Sequence, residues 1–309
     1  MPRPSRHIRS VRAPASDLTE LQNILRAVRD ARFAHGLYCP RCHSSKVQRW
    51  GSFSCRQRYR CLQCRRTFSD LTSTAAAYTK RLSLWRRYVY CMIGSDTIRR
   101  AAREVGIHPS TAFRWRHRIL DSADRNDRSD LAGWIEIDET GFPYSEKGRR
   151  NLHRPARTRG YWKYSPRTLT AHYICVVVAC DRAGKVVSAM VPRRHPYDYD
   201  LREHIITRVQ GKATVLAHYL PLSHCGRAAR LSGHSYVQVP RFRQPISPQP
   251  LHHTSTVMSY INRLCAWLPR FRGVATRYLQ HYLAWHRLLD AINVRAGVAA
   301  LIRSLPHTA

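Results

Sequence analysis

Two short cysteine pairs, Cys39-Pro-Arg-Cys42 and Cys61-Leu-Gln-Cys64, have eighteen residues between them, and nothing else in the chain restricts its fold as sharply. A C-x-x-C knuckle turns both sulfurs the same way. Two knuckles joined by a short β region therefore present four soft thiolates to one tetrahedral ion. The segment between them suits that role, because QRYRC is strand-like and leads into CRRTFSD. So small a unit buries too little apolar surface to fold alone, and the metal supplies much of its folding free energy. Residues 37–72 are therefore expected to form a zinc ribbon, with structural Zn²⁺ on Cys39, Cys42, Cys61 and Cys64. The other six of the ten cysteines are scattered. With no secretory leader in view, this usage reads as a reducing cytoplasm rather than a disulfide framework.

The charge balance points to a partner. Lys and Arg number 53 against 19 Asp and Glu, a net charge of +34. Internal pairing cannot neutralise that excess, so it is solvated or meets a polyanion, and nucleic acid is the common one. A GC-rich genome would explain the preference for Arg over Lys but not the shortage of acids. Around the ribbon stand Lys46, Arg49, Arg56, Arg58, Arg60, Arg65 and Arg66; Arg58, Arg60, Arg65 and Arg66 are taken as its phosphate contacts. A hydrophobic content of 43% excludes global disorder. No apolar run approaches the ~18 residues of a membrane helix.

The 309 residues leave room for two or three domains. Residues 1–36 read as a basic, Pro-rich and flexible arm followed by a helix, with Asp17 as N-cap and Gly36 as stop. Helices are expected over 78–121, interrupted at Gly94 and Gly106. From Trp134 the texture turns to β, with strands at 134–140, 173–180 and 185–191. A helix over 198–209 follows, then strands at 213–219 and 235–239 around a short helix at 228–233. Two helices fill 253–304.

Within 78–122 the stretch SDTIRRAAREVGIHPSTAFRWRHRIL has the form of a helix-turn-helix. Ala101 and Ala102 permit close packing, Gly106 supplies a positive φ, and Ser110 is placed to cap the second helix. Arg114, Arg116, His117 and Arg118 are expected to project from that helix onto DNA. Phe113, Ile119 and Leu120 read as core, and Trp115 suits either role.

In GWIEIDETGF, alternation puts Glu136, Asp138 and Thr140 on one face of a strand and Glu139 on the other. A carboxylate in mid-strand, in a chain so poor in acids, asks for a cation. Three strands, then helix, strand, helix, strand and a long helix follow the order of a ribonuclease-H-like domain. Such folds hold two Mg²⁺ between carboxylates to activate water and stabilise the leaving oxygen. Asp138 is the expected ligand; Glu136 is either a second ligand or a surface residue.

These stretches resemble the DDE transposases of bacterial insertion sequences, in the ISXO-like group with an amino-terminal zinc ribbon. The resemblance runs from about residue 37 onward. It is carried by CPRC and RYRCLQCRRTFSDLTST, by IRRAAREVGIHPSTAFRWRHRIL, by IEIDETGF with the basic run KGRRNLHRP, and by RLCAWLPRFRGVATRYLQHYLAWHRLL. It implies a multi-domain chain: zinc ribbon plus helix-turn-helix, then an α/β ribonuclease-H-like domain with C-terminal helices over 131–304. It also implies a bacterial cytoplasmic, nucleoid-associated protein that binds double-stranded element ends and target DNA. Strand cleavage and transfer would use Mg²⁺ or Mn²⁺, and bridging two DNA ends implies a homo-oligomer. The first catalytic Asp maps onto Asp138.

The other catalytic positions depart from the pattern. Where the family reads VLxSDG this chain reads VLAHYLP, with Tyr219 in place of the second Asp. Met258 stands where the family has Asn, Cys265 where it has Lys, and Asn262 is one helical turn away. No carboxylate occurs between Glu203 and Asp290, and His218 and His224 are soft ligands for hard Mg²⁺. The expectation is therefore a transposase with impaired catalysis. The alternative is an inactive zinc-ribbon and helix-turn-helix DNA-binding protein derived from one. An RNA-binding zinc protein fits less well, since a helix cannot enter the narrow major groove of A-form RNA.

Overall fold

The computed structural model describes residues 17–53, 56–125, 130–152, 173–191, 195–218, 223–239 and 252–291. The expected arm, Tyr219 and residues 292–304 lie outside them. The chain divides into two compact units, one within Met1–Asn126 and one spanning Asp127–Ala291.

The first unit opens with helix α1, Asp17–Arg32, which stops four residues before Gly36. Three short strands follow: β1 Val47–Phe53, β2 Arg56–Cys61 and β3 Thr67–Ser69. They pair antiparallel in the order β1-β2-β3. Their small core is Cys39, Tyr59, Cys61 and Phe68, too little to hold the sheet unaided. Helix α1 adds an anchor: buried Arg32 reaches the carbonyls of Asp70, at 2.9 Å, and Thr72. Burial lowers the Arg32 guanidinium below its usual range, and the two carbonyls compensate the lost hydration.

A single 3-10 turn, Leu82–Leu84, leads into α2 Trp85–Ile93, α3 Ile98–Val105 and α4 Pro109–Arg125. Trp85, Tyr88, Met92, Ala101, Ala102, Trp115, Ile119 and Leu120 form their shared core. Trp115 thus resolves to packing, its ring 5.6 Å from Trp85 and 5.5 Å from Tyr88. Helix α3 starts at Thr97, whose hydroxyl accepts Arg100 N–H, and ends at Gly106 with φ +73°. Ile107 N–H closes back on the Ala102 carbonyl at 2.9 Å and Gly106 N–H on Arg103, the closure a left-handed residue permits. The start of α4 corrects one expectation. The cap is His108, whose carbonyl accepts Thr111 and Ala112 N–H while its Nδ1 accepts Ser110 N–H at 3.2 Å. Pro109 takes the first helical position, where its missing N–H costs nothing, and Ser110 falls inside the helix.

The second unit is a five-stranded sheet with helices on both faces. Its strands are β4 Leu131–Pro143, β5 Tyr173–Asp181, β6 Val186–Val191, β7 Val209–His218 and β8 Ser235–Val239. Their spatial order is β6-β5-β4-β7-β8. β5 is antiparallel to both β4 and β6, joined to β6 by the expected turn after Asp181. β7 runs parallel to β4 and β8 parallel to β7. Parallel neighbours need crossovers, and α5 Asp198–His204 and α6 Ser223–Leu231 stand in those connections.

Ile135, Ile137, Val177, Ala179, Val215 and Ala217 pack on one face with Leu201, Cys225, Ala228 and Ala229 of α5 and α6. Helices α7 Ser255–Trp267 and α8 Leu279–Ala291 contact β4, β5 and β6. Because both faces are covered, β5 is apolar almost throughout rather than alternating.

Candidate functional site

The cysteine pairs converge as their spacing requires. All four sulfurs lie within 4.8 Å of one another, with Cys39 Sγ 3.7 Å from Cys64 Sγ and Cys42 Sγ 3.5 Å from Cys61 Sγ. A tetrahedron with metal–sulfur bonds of about 2.3 Å has edges of about 3.8 Å, so this cluster can hold a metal ion. The knuckles are built alike. Cys39 N–H pairs with Ser44 and Cys61 N–H with Arg66, and the residue after each second cysteine, His43 and Arg65, has φ 58°. Cys64 N–H donates to Cys61 Sγ at 3.4 Å and holds that thiol down to about 7. The arrangement fits a zinc ribbon.

The basic residues expected on DNA fall in different places. Arg65 and Arg66 are exposed at the second knuckle. Arg58 donates to Thr67 Oγ1 at 3.2 Å, and Arg60 lies over the Trp50 ring at 4.6 Å. On α4, Arg114 and Arg118 are exposed, with Arg118 also donating to the Ala77 carbonyl at 2.9 Å. The ring of His117 lies tilted against Phe113, centroids 4.4 Å apart. Arg116 corrects the reading of that helix: it is 0% exposed and donates to the Asp96 carbonyl at 2.7 Å. The residue faces the α2–α3 connection, so it holds the helices together and does not project. Three residues beyond Phe113, it lies on the inner stripe of the helix with Ala112 and Ile119.

In the second unit Asp138 sits half-buried on the central strand, paired with Val178 of β5. Its Oδ1 accepts Glu139 N–H at 2.8 Å. Glu139 points to the other face, as alternation requires. There its Oε1 lies 3.0 Å from His195 Nδ1 and its Oε2 accepts the Cys175 thiol at 3.5 Å; burial pushes the Glu139 carboxyl up.

The magnesium role expected for Glu136 gives way to a structural one. Its carboxylate is fully buried. Oε2 accepts Thr256 N–H at 2.8 Å and Val257 N–H at 3.0 Å, and Oε1 pairs with Arg182 Nη1 at 3.1 Å. Glu136 thus caps the positive end of α7. At the other end of the acidic face, Thr140 Oγ1 lies 3.9 Å from Cys265 Sγ.

These two contacts tie both ends of the acidic face to α7. Eight helical residues rise about 12 Å and four strand residues about 13 Å, so α7 tracks β4 from Val257 to Cys265. Halfway along that row stands Ile261, which is buried. Met258 and Asn262 are exposed beside it.

The other acids are engaged elsewhere. Asp290 forms a two-point pair with Arg263 at 2.7 Å, Asp181 accepts Lys185 N–H in the hairpin turn, and Asp200 accepts Tyr197 N–H at the start of α5. Across the sheet, the parallel partner of Ile137 is Ala217. Among the described residues the four cysteines alone form a group of three or more potential metal ligands; Asp138 belongs to none. His224 packs edge-on against Tyr197 at 5.2 Å.

A protein of the transposable element ISH50 from Halobacterium salinarum (strain ATCC 700922 / JCM 11081 / NRC-1), itself described as uncharacterized, is 30% identical over 276 residues, 87% of this chain and 90% of the relative. The chain belongs to this family of transposable-element proteins. The motif resemblance to insertion-sequence transposases agrees with membership of the ISH50 family. A chain in the crystal structure of a pre-cleavage Mos1 transpososome aligns over 69% of this chain and 77% of its own length. With 12% identity and a TM-score of 0.23, that likeness carries no argument. No protein-family model matches the chain. Among the described residues, no helix is long and apolar enough to cross a membrane.

Sequence alone does not mark out two exposed aromatics of this ISH50-family chain, Trp50 and Phe53. The signal was present: a glycine inside a strand, here Gly51, marks a bulge or a close approach.

Proposed function

We propose that the chain is an insertion-sequence transposase that binds element-end DNA and whose metal-dependent strand cleavage and transfer are impaired. On this reading residues 37–72 are a zinc ribbon, residues 78–122 a helix-turn-helix, and residues 131–304 a ribonuclease-H-like domain with strand order 3-2-1-4-5. Zn²⁺ is held by Cys39, Cys42, Cys61 and Cys64. Arg114, His117 and Arg118 of α4, with Arg58, Arg60, Arg65 and Arg66 of the ribbon, meet the DNA.

The observation that carries the reading is Asp138 at the middle of the central strand, which belongs to no group of three or more potential metal ligands among the described residues. Mg²⁺ or Mn²⁺ would supply a bound water as nucleophile and charge neutralisation at the leaving oxygen. Asp138 provides one hard oxygen donor toward such an ion, and that donor set fits a two-ion clamp poorly. The runner-up reading is a DNA-binding protein without any cleavage activity.

Element-end recognition is tested by gel shift with duplexes of the element's own terminal repeats and scrambled controls across a salt series. Log affinity should fall linearly with log salt at about 0.9 per phosphate neutralised, with a preference for the repeats. A flat salt response, or equal affinity for both duplexes, contradicts it.

A further inference from the structure

The outer face of the β1–β2 hairpin combines exposed aromatics with arginines. Trp50 is 45% exposed and Phe53 71%. Three residues apart on a regular strand, they would point to opposite faces. A bulge changes that. Arg49 pairs with Tyr59 and Ser52 with Gln57, so Trp50 and Gly51 together oppose Arg58. Gly51 takes φ +70° there, and Gln57 Nε2 donates to its carbonyl at 2.8 Å.

Beyond the bulge Phe53 pairs with Arg56, while before it Gln48 pairs with Arg60. Trp50 and Phe53 therefore share one face with Arg56, Arg58 and Arg60. Bulges re-aim side chains in this way, and this one places both aromatics on the cationic side. β1 is also an edge strand, and the chain has no carboxylate between Asp30 and Asp70.

We propose that this face binds unpaired nucleotides of single-stranded DNA, with bases stacking on Trp50 and Phe53 and phosphates meeting Arg58 and Arg60. Base stacking on aromatics beside a basic groove is how single strands are held without sequence preference. The stacked Arg60–Trp50 pair also leaves one ring face available to a base. The inference rests on the nucleic-acid reading above but assigns a distinct role to the ribbon, that of receiving bases displaced from the duplex rather than touching duplex phosphates alone.

The test uses the full chain, with a fluorescein-labelled oligothymidylate and a duplex of equal length titrated by anisotropy at one salt concentration. Trp50→Ala and Phe53→Ala should each weaken single-strand binding by about fivefold or more, while duplex affinity stays within about twofold. Trp50→Phe should retain most of the affinity. Unchanged zinc content and melting temperature in each variant show that the fold is kept. Single-strand affinity unchanged by both alanines overturns the proposal, as does an equal proportional loss on both substrates. Much tighter binding of oligouridylate than of oligothymidylate overturns the assignment to DNA. Failure of the wild-type chain to bind duplex, with the aromatic effect on single strands intact, would sink element-end recognition and leave this platform standing.

Discussion

The carboxylate of Glu136 accepts the backbone N–H of Thr256 at 2.8 Å across 120 residues of sequence, so a residue inside the central strand caps the first turn of a helix. With Val257 N–H and Arg182 on the same buried group, this contact fixes where α7 begins. A side-chain oxygen on the second and third N–H groups of a helix is ordinary capping. Here it comes from another element, and a charge-assisted bond to ionised oxygen is the stronger kind.

Glu136→Ala should therefore cost about 1–3 kcal/mol, because it leaves the buried N–H groups of Thr256 and Val257 without their acceptor. Glu136→Gln should cost less, since one carbonyl oxygen can still accept. Urea unfolding checks both. A loss under about 1 kcal/mol for the alanine variant would mean that water replaces the cap.

Arg116 and Arg114, two residues apart on α4, should separate stability from binding. Arg116→Ala removes a buried guanidinium and leaves the Asp96 carbonyl short of a donor, so it should lower the melting temperature at a cost of about 1–3 kcal/mol. Arg114→Ala should leave melting unchanged and weaken duplex binding by about 1–3 kcal/mol if it reads a base edge. Gel shift and calorimetry on the two variants should give opposite patterns.

His286 predicts a pH window. Its ring is buried against Tyr260 and Trp267. Burial, with smaller contributions from Arg263 and Arg287 against an opposing one from Asp290, lowers its pKa from 6.5 to about 4. A group depressed in the folded state contributes stability above its unfolded pKa. That contribution is lost as pH falls from about 6.5 through about 4, to a total of about 3 kcal/mol. His286→Phe should flatten this part of the pH–stability profile; an unchanged slope would exclude His286 as its source.

Metal removal should be local. Chelator should release about one zinc ion per chain and unfold β1–β3, while the second unit, with its own apolar core, keeps its melting transition. Cys39→Ser with Cys42→Ser should do the same. A purified chain that carries no metal and ignores chelator would refute the ribbon.

Much of the local structure is written in local signals. The knuckles follow from C-x-x-C spacing, the end of α3 from Gly106, and the division of Glu136 and Asp138 from Glu139 by period-2 alternation. What stayed hidden depended on partners remote in sequence. Arg116 looks like its neighbours Arg114 and Arg118 until the packing of α4 turns one of the three inward. Glu136 looks like a metal ligand until Thr256 and Val257 arrive over it. Ser110 is the better cap by residue type, yet Pro109 starts the helix two residues earlier than Ser110 would and gives the role to His108. The facing of Phe53 needs the bulge at Gly51, which shifts the alternation by one residue.

The central claim is that this family member keeps its grip on DNA while the acidic strand has lost the ligands needed to cut it. The most direct measurement is supercoiled-plasmid cleavage by the full chain with Mg²⁺ or Mn²⁺, beside a gel shift of the same DNA by the same preparation. The account predicts shifted DNA that stays supercoiled. Divalent-dependent nicking that disappears in Asp138→Asn would contradict it.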